Sequence, residues 1–241
     1  WNCYYCPSEP DQPRSYLHDE PAVLRANQNR FDPVLQFMDR AVSLAEMGHP
    51  IDKVELLVLG GTWASYPHLY QEQFIRDLFY AANTFHEHRA HHAHAAHVAA
   101  MEANEGEDEG KAGVQEQEEK GEDDGGRHRT PPPPPPPPRA RWSLREEQQA
   151  NESARVKVIG LTLETRPDTL LDDAKGRDEL RRLRRYGCTR VQLGVQHTDD
   201  AILKRINRGH TRAHAAEAIQ QLKDACFKVD VHLMPNLPGS T

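Results

Sequence analysis

No run of roughly 18 apolar residues interrupts the 241-residue chain, so none of it reads as a membrane-spanning helix. Four cysteines are too few to staple a chain of this size as a disulfide scaffold, and a reducing compartment is expected. The glycine fingerprint of dinucleotide-binding folds and the P-loop pattern are both absent, which removes two common nucleotide sites. Apolar residues are scarce as well. With 37% hydrophobic residues, 28% charged residues, 18 prolines and a mean hydropathy of -0.81, part of the chain is expected not to fold. The chain opens at Trp1 and closes in "MPNLPGST", and is expected to be an internal piece of a longer protein.

The unfolded part is concentrated in one place. From His86 the sequence turns into "HEHRAHHAHAAHVAA", an acidic glycine-rich tract and then "RHRTPPPPPPPPRAR". Residues 102 to 124 carry a balance of -9, so the rest of the chain is +2 although the whole is -7. Such sequence buries too little surface to offset its ordering entropy, and eight prolines from Pro131 favour an extended polyproline II rod. Residues 86–141 are therefore expected to be a disordered insertion between folded parts at 1–85 and 142–241. In a helix His88, His91 and His92 would share a face suited to a metal, but a biased solvated tract is the favoured reading. The proline run could dock an SH3, WW or profilin-type partner or serve as a plain spacer.

Outside the insertion, β-rich apolar runs recur: "DKVELLVLGGT", "ARVKVIGLTLETRPD", "YGCTRVQLGVQ" and "CFKVDVHLMPNLPG". Each is short and ends in Gly, Pro or polar residues, as buried parallel strands do. Between them stand helical patterns, such as "DPVLQFMDRAVSLAEMGHP", with Val34, Phe37, Met38 and Ala41 on one apolar face and a stop at Gly48. Alternation of strand and helix predicts an α/β fold with a parallel sheet, either doubly wound or a (β/α) barrel. In both, chemistry sits at the C-terminal ends of the strands.

Those ends read Gly60-Gly61-Thr62, Glu164-Thr165-Arg166-Pro167-Asp168, Gly194-Val195-Gln196 and Met234-Pro235. The two glycines let backbone approach a ligand closely, or make an ordinary tight turn. Glu164 suits a ribose diol or an ammonium group and Arg166 a carboxylate or phosphate, unless the two simply pair with each other. Arginines at 181, 182, 184 and 185, with Lys204, Arg205, Arg208 and Arg212, offer either a solvated face or a nucleic-acid surface. Cys188 and Cys226 precede strands in apolar surroundings and are expected to be small packed residues.

Cys3 and Cys6 stand three positions apart in "WNCYYCPSEP". A redox couple should follow a strand and open a helix, whereas Pro7, Pro10 and Pro13 follow here. Zinc normally takes four ligands, and no second pair lies at a suitable spacing in the folded regions. A proline-broken loop suits an iron-sulfur cluster better, with a third cysteine expected upstream of Trp1.

In order, "NCYYCP", "DKVELLVLGGT", "GLTLETRPD", "YGCTRVQLGVQ", "INRGHT" and "FKVDVHLMPNLPG" resemble the radical S-adenosylmethionine (SAM) domain of the Elongator catalytic-subunit family, the tRNA wobble-uridine modifying enzymes. The resemblance covers residues 1–85 and 142–241. It implies a partial (β/α)6 TIM-like barrel, four strands of which fall in this chain. It further implies a 4Fe-4S cluster held in part by Cys3 and Cys6, with SAM on its open iron. The family's chemistry is cleavage of SAM to a 5′-deoxyadenosyl radical, hydrogen abstraction from the acetyl group of acetyl-CoA, and addition at C5 of uridine 34. Carried over by position, Tyr5 lies near the adenine, and Gly60, Gly61 and Thr62 meet the methionyl amino group. Glu164, Arg166 and Gln196 hold ribose, carboxylate or substrate. Implied partners are tRNA and other Elongator subunits, with no membrane segment, in the cytoplasm and also the nucleus.

The chain departs from the family pattern at Ser8-Glu9, where glycines are usual, and at Cys226, which replaces a glycine. With the first cluster cysteine, the last strands and the acetyltransferase-like domain outside it, this piece alone is expected to be inactive. A degenerate barrel that only scaffolds tRNA or partner subunits is the alternative reading.

Overall fold

Four short strands rich in Val, Leu and Ile, each followed by a helix or turn, set the architecture. The computed structural model describes residues 3–12, 14–91, 93–95, 98, 134–135 and 137–240. Two units divide the chain: Trp1–Asn83 with Arg141–Thr241, and Thr84–Ala140.

In the first unit the strands are β1 (Lys53–Val58), β2 (Lys157–Thr165), β3 (Arg190–Gln196) and β4 (Lys228–Leu233). The helices are α1 (Pro21–Gln28), α2 (Pro33–Glu46), α3 (His68–Asn83), α4 (Leu144–Asn151), α5 (Ala174–Arg185), α6 (Asp200–Arg205) and α7 (Arg212–Asp224). The sheet is parallel throughout and runs β1-β2-β3-β4 in chain order. A doubly wound sheet reverses its strand order at a switch point, and this one does not. Among the described strands the sequential order is that of a singly wound, barrel-type sheet.

The core lies over the central strands, where Leu161, Leu163 and Leu193 are fully buried with Ile75, Leu183, Ala218 and Leu222 from α3, α5 and α7. Burying one such leucine stabilises by about 2 kcal/mol. At the edge, β4 leaves Val231 and Leu233 exposed. Helix starts follow local chemistry. Asp32 accepts the Leu35 N–H ahead of Pro33 at the start of α2, and Ser143 and Glu146 form a reciprocal capping box on α4. Of the predicted apolar face of α2, Val34, Phe37 and Ala41 are buried and Met38 is partly buried.

In the second unit, residues 85–91, where composition leads one to expect disorder, are helical, and the His88 N–H donates to the Thr84 carbonyl at 3.0 Å. The segment contains no Gly, Pro or β-branched residue, which leaves a helix open to it. His88 and His91 lie on it, whereas His92, the acidic run 102–124 and most of the proline run lie outside the described residues. Among the described residues, no group of three or more His, Cys, Asp or Glu side chains is placed to hold a metal ion. No helix among them is long and apolar enough to cross a membrane.

Candidate active site

All four strands end on one cavity of about 900 Å³, lined by Cys3, Tyr5, Cys6, Gly60, Gly61, Thr62, Glu164, Arg166 and Gln196. Every site residue anticipated from the sequence therefore meets at one place, and the volume is that of a cofactor site.

The cysteine loop is fixed at both ends. The Tyr4 N–H donates to the Ile206 carbonyl just past α6, and the Ser15 N–H donates to the Pro7 carbonyl, both at 3.0 Å. Arg14 adds a bond to the Cys3 carbonyl. Glu9, the departure from family pattern, accepts from the His18 backbone N–H at 2.8 Å and lies 3.0 Å from its Nδ1. It therefore braces the loop. Both cysteines are free thiols, with Cys3 buried and Cys6 partly so. Burial raises Cys3, yet bonds from Cys6 and from the Tyr5 and Cys6 backbone, with the charge of Arg208, outweigh it and leave this thiol below its usual range. Burial and the shared bond with Cys3 push Cys6 up. Tyr5 is 43% exposed, so its ring is available to a ligand.

Gly60 and Gly61 do make a turn, and the turn also binds. Both N–H groups donate to Oε2 of Glu164, at 3.1 and 2.9 Å, and the Tyr16 hydroxyl donates to the same oxygen at 2.5 Å. Gly61 has φ +73, and a Cβ there would lie 3.3 Å from the Arg14 carbonyl oxygen, so glycine is needed for both reasons. Glu164 is only 6% exposed and delivers a carboxylate from β2 to the loop after β1.

Arg166 is held inside the structure. Its Nε pairs with Asp168 at 2.8 Å and its Nη2 donates to the Arg208 carbonyl at 3.0 Å. Desolvation lowers its pKa, opposed by Asp168. Gln196 ends β3 with φ 72, an uncommon backbone state for a residue with a side chain, and its buried Oε1 has no hydrogen-bond partner among the described residues.

The sequence does not single out Tyr16 at all, and Arg208, read there as part of a solvated or nucleic-acid-binding basic face, is a correction. It is buried at the cavity wall, where Nη2 donates to the Gly194 carbonyl at 2.7 Å and Nη1 lies 3.9 Å from Cys6 Sγ. The rest of "INRGHT" serves the same loop. Asn207 and Gly209 take positive φ, His210 Nε2 meets the Val195 carbonyl at 3.1 Å, and Thr211 caps α7. The block was legible in the sequence as part of the family resemblance, which assigned no contact to its residues.

The arginine face of α5 is engaged locally: Arg181 with Asp178, Arg182 with Glu179, Arg185 with Glu72, and Arg184 over the Phe227 ring. Cys188 is buried as expected. Cys226 is a correction: it is exposed, because it follows α7 at φ 59 and points away from the core.

Residues 130–241 match the profile of the Radical SAM superfamily. Along nearly its whole length the chain is homologous to Elongator complex protein 3 and its counterparts. It is 34% identical to the tRNA uridine(34) acetyltransferase of Dehalococcoides mccartyi, over 99% of this chain and 39% of that protein. It is 32% identical to the Elongator complex protein 3 of Drosophila melanogaster, over 98% and 33%. The solved structure of the archaeal Methanocaldococcus infernus Elp3 with an N-terminal deletion matches with a TM-score of 0.63 at 30% identity, over 90% of this chain and 37% of that one. The chain thus spans between a third and two fifths of the length of these relatives. Radical SAM proteins use SAM and an iron-sulfur cluster, and the donor set fits in part. Two free thiols on one pinned loop face an open cavity beside a buried cation.

Proposed function

We propose that the protein containing this chain is a radical SAM enzyme that places a carboxymethyl-type group, drawn from acetyl-CoA, on C5 of the wobble uridine of tRNA. It would act with other Elongator subunits, in the cytoplasm and also the nucleus. The observation that carries the reading is the meeting of Cys3, Cys6, the Gly60-Gly61 turn, Glu164 and Gln196 around one cavity. The names of the relatives supply the substrate.

Cys3 and Cys6 would hold two irons of a 4Fe-4S cluster. When bound, the cluster supplies the electron that splits SAM into methionine and a 5′-deoxyadenosyl radical. The protein binds, orients and shields. Glu164 presents a carboxylate at the Gly60-Gly61 turn, where an ammonium group gains a charge-assisted bond. Tyr5 offers an aromatic face to an adenine. Gln196, with an unpartnered amide oxygen, accepts from a ligand hydroxyl or amide. Arg166, tied to Asp168 and to the Arg208 carbonyl, braces the cavity wall against the β3 side.

The test is electron paramagnetic resonance on the intact protein, reconstituted anaerobically with iron and sulfide and then reduced. A 4Fe-4S signal that shifts on adding SAM and is lost in Cys6→Ala is expected, together with loss of the C5-modified uridine in tRNA from cells carrying Cys6→Ala. A protein that binds zinc or nothing, while a known cluster protein reconstitutes in parallel, would leave only a tRNA or subunit scaffold.

A further inference from the structure

Donors from two separate parts of the chain converge on a single oxygen of Glu164. The Gly60 and Gly61 N–H groups come from the turn after β1 and the Tyr16 hydroxyl from the loop ahead of α1, and all of them bind Oε2. Among the described residues no donor reaches Oε1, and Glu164 lines the cavity. The carboxylate is thus filled on one side and open on the other. The chain around Tyr16 is itself tied down. Just before it, the Ser15 N–H donates to the Pro7 carbonyl at 3.0 Å, and just after it, the Leu17 N–H donates to Glu20 Oε1 at 3.0 Å. Ser15 takes φ 81, a left-handed state that persists only where the surrounding structure holds it. Pro7 follows Cys6 directly, so Tyr16 carries the position of the cysteine loop across to the carboxylate at the end of β2.

We propose that Tyr16 is a positioning residue: its hydroxyl, anchored to the cysteine loop, holds the Glu164 carboxylate so that Oε1 stays open to the ammonium group of a SAM bound in the cavity. The inference rests on the SAM reading above. The torsion that turns a glutamate carboxylate is broad and weakly restrained by itself, so its direction must come from its partners. The turn supplies donors from one element and Tyr16 supplies one from another. A charge-assisted hydrogen bond depends on direction as well as distance, and a carboxylate already aimed loses less freedom when the ammonium arrives. Tyr16 acts through Glu164 and makes or breaks no covalent bond.

Calorimetric titration of the intact protein, reconstituted anaerobically with iron and sulfide, tests this with two ligands. One is S-adenosylhomocysteine; the other is its deaminated analogue, which keeps the adenosine and the carboxylate but carries hydrogen in place of the ammonium. In Tyr16→Phe we expect S-adenosylhomocysteine to bind about tenfold more weakly, the change that loss of one hydrogen bond to a charged group brings, and the deaminated analogue to bind as it does to wild type. In Glu164→Gln, which removes the carboxylate, adding Tyr16→Phe should cost nothing further. A Tyr16 that only supports the fold would weaken both ligands together, and one without a role would weaken neither; either result overturns the inference. Should Tyr16→Phe fail to fold, Tyr16→His is read in its place, since its ring ends short of Oε2, and the same selective loss is expected. A wild-type protein that does not bind S-adenosylhomocysteine overturns the functional reading itself, and this inference with it.

Discussion

The Tyr16 hydroxyl and the carboxylate of Glu164, 148 residues apart in the chain, meet at 2.5 Å. Because the same oxygen also accepts the Gly60 and Gly61 N–H groups, one atom joins the N-terminal loop, the β1 turn and the end of β2. Burial, and then the bond to Glu164, push the Tyr16 hydroxyl above its ordinary pKa, so it stays a donor. Bonds to a charged partner contribute about 2 kcal/mol each, and fewer are lost when one donor goes than when the acceptor goes. Glu164→Ala should therefore cost about 3 kcal/mol or more in urea denaturation, and Tyr16→Phe about 1 kcal/mol. Equal losses would contradict the shared-acceptor account.

The exposed Cys226 sits at φ 59, where a side chain is strained and glycine is not. Restoring glycine there is expected to stabilise the chain by about 1 kcal/mol, read as a higher denaturation midpoint with an unchanged slope.

The other isolated cysteine behaves in the opposite way. Burial pushes the Cys188 thiol up to about 12, and its Sγ donates to the Arg190 carbonyl at 3.1 Å. Iodoacetamide on the native protein should alkylate Cys226 and spare Cys188, with Cys188 reacting only after denaturation. Mass spectrometry of the labelled peptides gives the answer.

His210 introduces a dependence on acid. Burial, and then the charge of Arg208, lower its pKa from 6.5 to about 4. A folded-state pKa below the unfolded one means that the contribution to stability is complete above pH 6.5 and is lost as pH falls from 6.5 towards 4. Glutamine in its place can still donate to the Val195 carbonyl but does not titrate. The melting temperature of His210→Gln should fall less than that of the wild type across this window.

The strands were legible because "KVELLV" and "RVQLGVQ" are short, rich in Val and Leu, and run into Gly or polar residues, although β1 proves to be largely exposed, with only Leu56 buried. α4 was harder. Its sequence "LREEQQAN" is almost wholly polar, and what fixes it is the capping box of Ser143 and Glu146 and burial of Glu147 and Asn151 against α3. That the strand-end residues share one cavity was legible because strand direction predicts where they meet. Tyr16 and Arg208 were not, since they sit in loops whose course is set by bonds to distant carbonyls and carboxylates. Arg166 illustrates the same limit: its position was predictable, but its engagement with Asp168 and the Arg208 backbone was not.

Asn83 at the end of α3 donates to the Glu147 carbonyl and to its side chain, at 2.9 and 2.8 Å, and accepts from Asn151 at 2.7 Å. The points where residues 84–140 leave and rejoin the first unit are thus stitched side by side. This bears on the order of assembly. β2, β3 and β4 pair across about thirty to forty residues, but β1 must find β2 across about a hundred. The ladder should close from the C-terminal side, with β1 and the Gly60-Gly61 turn arriving last and Glu164 waiting for them. Loop-closure entropy grows by only about 0.6 kcal/mol per doubling of length. Growth of the excursion during evolution would then have slowed the final docking step while leaving the finished sheet nearly as stable as before.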